Sequence, residues 1–287
     1  MSSRSLTESQ SWVIFTDLDG TLLDHHSYSF AEAEPALRLL RDRNIPWLFN
    51  TSKTFAELKQ LRIEIGNNWP MLIENGSGIA VPENSVCQEF FARSPFLEFS
   101  EPIIKDGFRF YALGLWRQEF LPKLAFLKRD FDFISYSEMD AKTLITHTGL
   151  TNQQALNSLD RQFTEPCLWQ DTEQAFTKFS SRIEDLGLHC VRGGRFAHIM
   201  GKSDKGRALK WVMDELYSGP KVSTLALGDG ENDLSMLNKA DVAVLVRSPE
   251  HNLPGPCLAP VCSNTDKEGP AGWAGAIIAA IGETSSN

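Results

Sequence analysis

The sequence predicts an α/β fold: a doubly wound, mostly parallel sheet interrupted by an inserted α+β domain. Three observations predict it. Near the start of the chain, short apolar runs alternate with helix-spaced segments, giving strand, helix, strand, helix, strand. The same rhythm returns from Asp204 onward. Between them, Phe90 to His189 is rich in Phe and lacks any comparable strand–loop–acid pattern. A length of 287 residues suits two domains of roughly 100–200 residues. The expected arrangement is a discontinuous Rossmann-like core over 12–88 and 194–283, with an α+β insert over 89–193.

Each element has a local reason. Trp12 to Phe15 is a short apolar run ending at Thr16-Asp17, as for a strand buried on both faces. Phe30 to Arg43 places Ala33, Ala36, Leu37 and Leu40 at helical spacing, with Pro35 tolerated in the first turn. Ile45 to Phe49 is the second strand, Thr54 to Ile65 the second helix, and Met71 to Ile73 the third strand of the same sheet. In the insert, Phe108 to Tyr111 and Cys167 to Trp169 read as strands. Leu121 to Phe131, Thr151 to Arg161 and Gln174 to Leu186 read as helices, with Thr151 as a cap and Gly187 as a stop. The late part reads as helix Asp204–Tyr217, strand Val222–Leu227, helix Glu231–Lys239, strand Asp241–Val246 and helix Ala271–Ile281.

Composition narrows the function. Lys and Arg total 28 against 37 Asp and Glu, a formal charge of -9, which disfavours nucleic acid as the partner because phosphate backbones need a basic face. A small anionic substrate remains open, since it senses local charge. No apolar run approaches a membrane span of roughly 18 residues, so no membrane partner is expected. Met1 to Ser11 is polar and lacks the apolar core of a signal peptide. The five cysteines, Cys87, Cys167, Cys190, Cys257 and Cys262, form no CxxC pair and read as reduced, structural thiols of a cytoplasmic protein.

The chemistry gathers at strand ends, where open α/β sheets bind ligands. Four such ends are polar: Asp17-Leu18-Asp19-Gly20-Thr21, Thr51-Ser52-Lys53, Glu74-Asn75-Gly76 and Gly228-Asp229-Gly230-Glu231-Asn232-Asp233. Asp17 and Asp19 repel each other unless a positive group lies beside them. A hard divalent cation meets that need, and Mg2+ typically takes one or two carboxylates plus substrate phosphate. Asp229 and Asp233 form a second acidic pair, around a Gly-Asp-Gly loop stripped of side chains where a ligand must approach. Two acid pairs on separate strand ends of one sheet read as a metal site, although Asn232 or Asp233 also suits a helix cap.

These residues resemble the motifs of the haloacid dehalogenase-like hydrolases. Asp17-Leu18-Asp19-Gly20-Thr21 resembles the first motif, Thr51 the second, Lys205 in Asp204-Lys205-Gly206 the third, and Gly228 to Asp233 the fourth, in the family's order. The roughly 150 residues between Thr51 and Lys205 resemble the Cof-like subclass, whose α/β cap is inserted after the second motif. A narrower resemblance is to the mannosyl-3-phosphoglycerate phosphatase branch. It rests on Thr51-Ser52-Lys53-Thr54, Glu57, Ile73-Glu74-Asn75-Gly76, Arg161 with Glu165-Pro166, Gly193-Gly194-Arg195-Phe196, and Gly269-Pro270 with Gly272-Trp273.

The resemblance implies a Mg2+-dependent phosphatase. Asp17 is then the nucleophile that forms an aspartyl-phosphate. Asp19 is the general acid and base, with its backbone carbonyl on the metal. Asp17, Asp19 and Asp229 are the metal ligands, and Asp233 and Asn232 support them. Thr51 and Lys205 bind the transferring phosphoryl oxygens; Lys202, close by, is the weaker alternative to Lys205. Lys53 faces either a substrate carboxylate or solvent, and His198 is either a ligand contact or a structural histidine. Arg161, Arg192 and Arg195 are the arginines available for a glycerate carboxylate, and Glu165 for a sugar. The implied reaction is hydrolysis of mannosyl-3-phosphoglycerate to mannosylglycerate and phosphate. Glucosyl-3-phosphoglycerate or another sugar phosphate is the alternative substrate. A non-enzymatic, receiver-like phospho-acceptor module is the alternative of a different class. It is opposed by Asp19, an acid that a receiver does not need, and by the insert.

Overall fold

A computed structural model describes residues 11–83, 102–193, 196–216 and 222–282. In chain order the first elements are β1 (Ser11–Thr16), α1 (Glu34–Asp42), β2 (Trp47–Phe49), α2 (Phe55–Ile65), β3 (Met71–Ile73) and β4 (Gly78–Pro82). There follow β5 (Ile103–Lys105), β6 (Phe108–Ala112), α3 (Arg117–Leu127), β7 (Phe133–Ser135), α4 (Ala141–Thr148), α5 (Asn152–Leu159), β8 (Thr164–Trp169), α6 (Glu173–Asp185), β9 (Leu188–Gly193) and β10 (Phe196–Gly201). The chain continues with α7 (Lys205–Leu216), β11 (Val222–Gly228), α8 (Leu234–Leu237), β12 (Val242–Arg247), β13 (Val261–Glu268) and α9 (Gly269–Gly282). It divides into two compact units, one of Met1–Leu48 with Val212–Asn287 and one of Phe49–Trp211.

The first unit is built on a five-stranded sheet in the order β13-β12-β11-β1-β2. β1 runs parallel to β11, β11 to β12, and β12 to β13. Val13, Ile14 and Phe15 are wholly buried, as a strand covered on both faces requires. α1 begins with Pro35 in its first turn and buries Ala36, Leu37 and Leu40. α9 packs on β12, β13 and α1. Its Trp273 reaches the end of β1, where Nε1 donates to Thr16 Oγ1 at 2.9 Å. Arg43, just beyond α1, donates from Nη1 to the Ile281 carbonyl at 2.9 Å, placing a cation at the carboxyl end of α9. The segment read as one helix from Glu231 to Lys239 is instead a 3-10 turn, Glu231–Asp233, followed by the single-turn α8. The Asp233 N–H donates to the Gly230 carbonyl at 3.0 Å, the i→i+3 bond of a 3-10 turn, and Asp233 Oδ2 caps it by accepting the N–H groups of Asp229 and Gly230.

The second unit holds two antiparallel sheets, ordered β3-β4-β6-β5 and β7-β8-β10-β9. β3 differs from expectation. It pairs antiparallel with β4, while toward β2 it keeps a parallel bridge from Leu72 to Asn50 and the backbone bond from the Thr51 N–H to the Leu72 carbonyl at 3.1 Å. The cause is local: Glu74, Asn75 and Gly76 all have positive φ, 51°, 59° and 73°, so the chain reverses at once into a hairpin. β10 likewise pairs antiparallel with β8 and β9, which sets Phe196–Gly201 in the same sheet as the insert's strands. The sheet is covered on both sides. Phe120, Leu124, Phe179 and Ile183 from α3 and α6 bury Cys167 and Ile199. Tyr136, Leu144 and Ala155 cover Phe196 on the other face. Alternation along a strand turns neighbouring residues to these two faces.

Helix ends follow their caps. Thr54 and Glu57 form a reciprocal box at the start of α2, and Thr151 with Gln154 does the same for α5. α3 starts four residues before its predicted position because Glu119 accepts the Trp116 N–H at 2.6 Å, and Pro122 lies inside the helix. Gly187, at φ 76°, follows α6 as expected. No helix among the described residues is long and apolar enough to cross a membrane.

Candidate active site

In the first unit, three carboxylates from distant sequence meet. Asp17 follows β1, and its N–H donates to the Leu227 carbonyl of β11 at 2.9 Å. Thr16, held by Trp273, donates from Oγ1 to the Asp17 carbonyl at 2.6 Å. Asp229 follows β11, and Asp233 lies in the 3-10 turn after it. Carboxylate oxygens of Asp17, Asp229 and Asp233 lie within 4.8 Å of one another, and all three residues are buried. Asp229 is fixed on both oxygens: Thr21 Oγ1 donates to Oδ1 at 3.1 Å, and His251 Nε2 lies 3.1 Å from Oδ2.

Glycine makes this approach possible. Gly20 has φ 75°, and a Cβ there would sit 2.6 Å from Asp229 Oδ2. A Cβ on Gly228 would meet the Asp233 side chain at 2.5 Å. Asn232 Oδ1 folds back toward Gly230, where a Cβ would come within 2.7 Å of it. Asp19 is half-buried, and its carboxylate is not among the three that meet. Three buried carboxylates at this separation repel strongly unless a cation offsets them. An all-oxygen donor set around a cradle that a Cβ would fill fits a hard divalent cation.

The second unit places the remaining polar strand ends. Thr51 is buried beyond β2, and its Oγ1 accepts the Lys53 N–H at 3.2 Å. Asp204 caps α7 by accepting the Arg207 N–H at 2.8 Å, so Lys205 occupies the first helical position, 1% exposed. Lys202, by contrast, is exposed. Asn50 Nδ2 donates to the Lys205 carbonyl at 2.9 Å, linking the residue before Thr51 to the start of α7. The hairpin turn also packs here: a Cβ on Gly76 would lie 2.6 Å from the Asp204 carbonyl oxygen.

Arg161, between α5 and β8, is almost wholly buried. Its Nη1 donates to Thr164 Oγ1 at 2.9 Å and lies 3.4 Å from the Ser52 carbonyl and 3.9 Å from Glu74 Oε2. Its guanidinium stacks over Tyr136 at 5.5 Å, and its Nε has no hydrogen-bond partner among the described residues. His198 is partly buried, and its Nδ1, which is buried, has no such partner. Burial, helped by the Arg161 charge, pushes the His198 pKa down to about 3, so the ring is neutral. Arg161 and Arg117 line a cavity of about 270 Å³ with Ile103, Trp116 and Leu121.

Two predicted substrate residues are otherwise engaged. Glu165 is buried, with Oε2 bound by Arg117 Nε at 2.5 Å and Oε1 accepting the Ser137 N–H at 2.8 Å. Both oxygens thus hold the fold of the sheet's entry. Arg192 makes an exposed bidentate pair with Glu173 at 2.6 and 2.9 Å. Arg195 lies outside the described residues. Sequence reasoning missed the roles of Asn50, Glu74 and His251. The first two stood at strand ends already marked as polar; a lone loop histidine carried no signal.

Comparison with known proteins accords with this geometry. The family model of haloacid dehalogenase-like hydrolases matches residues 14–269, and the chain belongs to that family. It is 33% identical over 276 residues to a glucosyl-3-phosphoglycerate/mannosyl-3-phosphoglycerate phosphatase from Methanococcoides burtonii, covering 96% of this chain and 98% of that protein. The chain is a phosphoric monoester hydrolase. Among solved structures, its fold is similar to the sucrose-phosphatase of Synechocystis sp. PCC6803, with a TM-score of 0.60, 16% identity, and coverage of 95% and 98% of the two chains. It is similar too to a haloalkanoate-superfamily phosphatase from Bacteroides thetaiotaomicron, with a TM-score of 0.63, 18% identity and 98% coverage of each.

Proposed function

We propose that this enzyme is a Mg2+-dependent phosphatase of glycosyl-3-phosphoglycerates, releasing phosphate from mannosyl-3-phosphoglycerate to give mannosylglycerate. Glucosyl-3-phosphoglycerate is the alternative substrate, followed by other sugar phosphates. The observation that carries the reading is the meeting of Asp17, Asp229 and Asp233 at strand ends. The 33% identical relative supports the substrate class.

Asp17 attacks phosphorus, and the ester oxygen leaves as Asp19 protonates it. Asp19 then takes a proton from water, which hydrolyses the aspartyl-phosphate. Asp17 and Asp229 would hold the cation with the Asp19 carbonyl, and Asp233 and Asn232 support that loop. A bound Mg2+ would neutralise phosphoryl charge. Thr51 and Lys205 bind the phosphoryl oxygens, a role that suits a buried hydroxyl and a buried ammonium at a helix start. Arg161, with a buried Nε not used within the described residues, suits the glycerate carboxylate, with His198 as a neutral neighbour; Lys53 is a further candidate for that carboxylate. The insert over 89–193 is the proposed cap that excludes water during transfer.

Phosphate release should be measured over glycosyl-3-phosphoglycerates and simple sugar phosphates, with Mg2+ and with EDTA. The glycosyl-3-phosphoglycerates are expected to exceed simple sugar phosphates in kcat/KM by at least about tenfold. Asp17→Asn and Asp19→Asn are expected to abolish turnover, and Asp19→Asn to retain Mg2+ binding. Chelator-insensitive turnover would overturn the mechanism, and equal rates on all esters would overturn the substrate assignment.

A further inference from the structure

The connection between β12 and β13, residues 248–260, reaches back to the acidic cluster. His251 Nε2 lies 3.1 Å from Asp229 Oδ2, and a carboxylate only accepts, so the ring nitrogen is the donor. His251 Nδ1 lies 3.0 Å from the Asn252 carbonyl, which holds the ring at its other nitrogen. The connection is tied down at three further points. The Gly255 N–H donates to Glu231 Oε1 at 3.3 Å and the Leu258 N–H to Asn238 Oδ1 at 2.6 Å. Glu250 Oε1 lies 3.4 Å from His26 Nε2, which joins the connection to the loop after Asp19-Gly20-Thr21. That loop is closed in turn by Asp24 Oδ1, which accepts the N–H groups of His26 and Ser27 at 3.2 and 2.8 Å.

Asp229 needs such holding. Carboxylate oxygens of Asp17 and Asp233 lie within 4.8 Å of its own, and their repulsion favours turning it out of the cluster. Thr21 restrains Oδ1 from the strand end that carries Asp17 and Asp19. His251 restrains Oδ2 from a different segment, well beyond Asp229 in sequence. Each carboxylate oxygen has two lone-pair directions, so an N–H on one leaves the other for a cation.

We propose that His251 is a positioning residue of this hydrolase: donation from its Nε2–H to Asp229 Oδ2 keeps that carboxylate turned toward the divalent cation. The proposal rests on the cation reading given above. A carboxylate already oriented loses less freedom when the cation binds, so removing its donor weakens the cation's affinity. Glu250, Gly255 and Leu258 hold the connection, whereas His251 alone among these four bonds Asp229.

The test is calorimetric titration of Mg2+ alone into the full-length protein, first dialysed against EDTA. His251→Ala is expected to raise the Mg2+ Kd about tenfold or more. His251→Leu, which keeps side-chain bulk without a donor, is expected to match it. His251→Gln, whose Nε2 brings an N–H to the same place, is expected to restore most of the affinity. Glu250→Gln, which frees the connection from His26 and leaves Asp229 alone, should keep the wild-type Kd. His251 and Glu250 are both exposed, so thermal unfolding in EDTA should find every variant folded. In phosphate release from mannosyl-3-phosphoglycerate, the Mg2+ concentration for half-activation should rise with the Kd of each variant, while KM for the ester at saturating Mg2+ holds. An unchanged Kd in His251→Ala and His251→Leu would overturn the proposal. So would a tighter one, which would make the ring a competitor for the oxygen, or an equal loss in Glu250→Gln, which would assign the effect to the tether. A wild-type protein that binds no Mg2+ would overturn the cation reading itself, and this proposal with it.

Discussion

At the scale of single residues, Gly20 and His198 make opposite demands on their surroundings. Gly20 must be small and left-handed, because its missing Cβ leaves room for Asp229. Gly20→Ala is expected to cost about 1–3 kcal/mol of stability through backbone strain alone. It should also weaken Mg2+ activation at least about tenfold, since the new methyl displaces a carboxylate by more than 1.4 kcal/mol of interaction. Thermal unfolding and a Mg2+ titration of phosphate release separate the two effects. His198 must stay neutral. Its pKa lies at about 3 in the folded protein, against an ordinary value near 6.5 in the unfolded chain. Between those values the unfolded state binds more protons, so stability is full above roughly pH 6.5 and falls as the pH drops toward 3. The loss approaches about 1.4 kcal/mol per pH unit in the middle of that window. His198→Gln is expected to flatten this slope in urea titrations at a series of pH values; an unchanged slope would contradict the burial of a neutral ring.

At the scale of elements, the hairpin of β3 and β4 is anchored by one carboxylate. Glu74 accepts from the N–H groups of Gln162, Phe163 and Thr164 at 2.8, 3.2 and 2.8 Å, and from Thr164 Oγ1 at 2.7 Å. These bonds join the β3–β4 turn to the start of β8. Glu74→Gln turns an amide donor toward backbone donors and removes the charge beside Arg161. The expected loss is about 2–4 kcal/mol in urea unfolding. Thr54→Ala, which removes the α2 cap and the bond from Thr54 Oγ1 to the Asn157 carbonyl of α5 at 2.8 Å, is expected to cost about 1–2 kcal/mol in the same measurement. The elements also show what could be read in advance. Thr54 with Glu57 and Thr151 with Gln154 announce helix starts because their side chains cap by themselves. Trp116 announces nothing, since the α3 cap is made by Glu119 reaching backward. β3 carries the apolar signature of a core strand, and only the left-handed turn after it decides its antiparallel partner.

At the scale of the whole molecule, two compact units share one chain, so a single unfolding free energy does not describe it. The three meeting carboxylates all belong to the unit of Met1–Leu48 and Val212–Asn287. Mg2+ at about one hundred times its dissociation constant should therefore stabilise that unit by about 2.7 kcal/mol. Calorimetry is expected to show the transition of this unit rise by a few degrees with Mg2+ and return with EDTA. A midpoint indifferent to Mg2+ would remove the cation from the site. The net charge of -9 does not oppose an anionic substrate, since cation, Lys205 and Arg161 supply local positive charge in the proposed enzyme.

The sequence by itself determined the α/β class, the strand ends that bear the acids, and the family, because apolar periodicity and short motifs are local properties. It marked Asp17, Asp229 and Asp233 as residues of one site, and a parallel sheet brings its strand ends to one edge. Tertiary structure alone decided the partners. It set β3 and β10 in antiparallel sheets, engaged Glu165 with Arg117 and Ser137, and brought His251 to Asp229. Each of these depends on which distant groups become neighbours once the chain is packed, and no periodicity in the sequence encodes that.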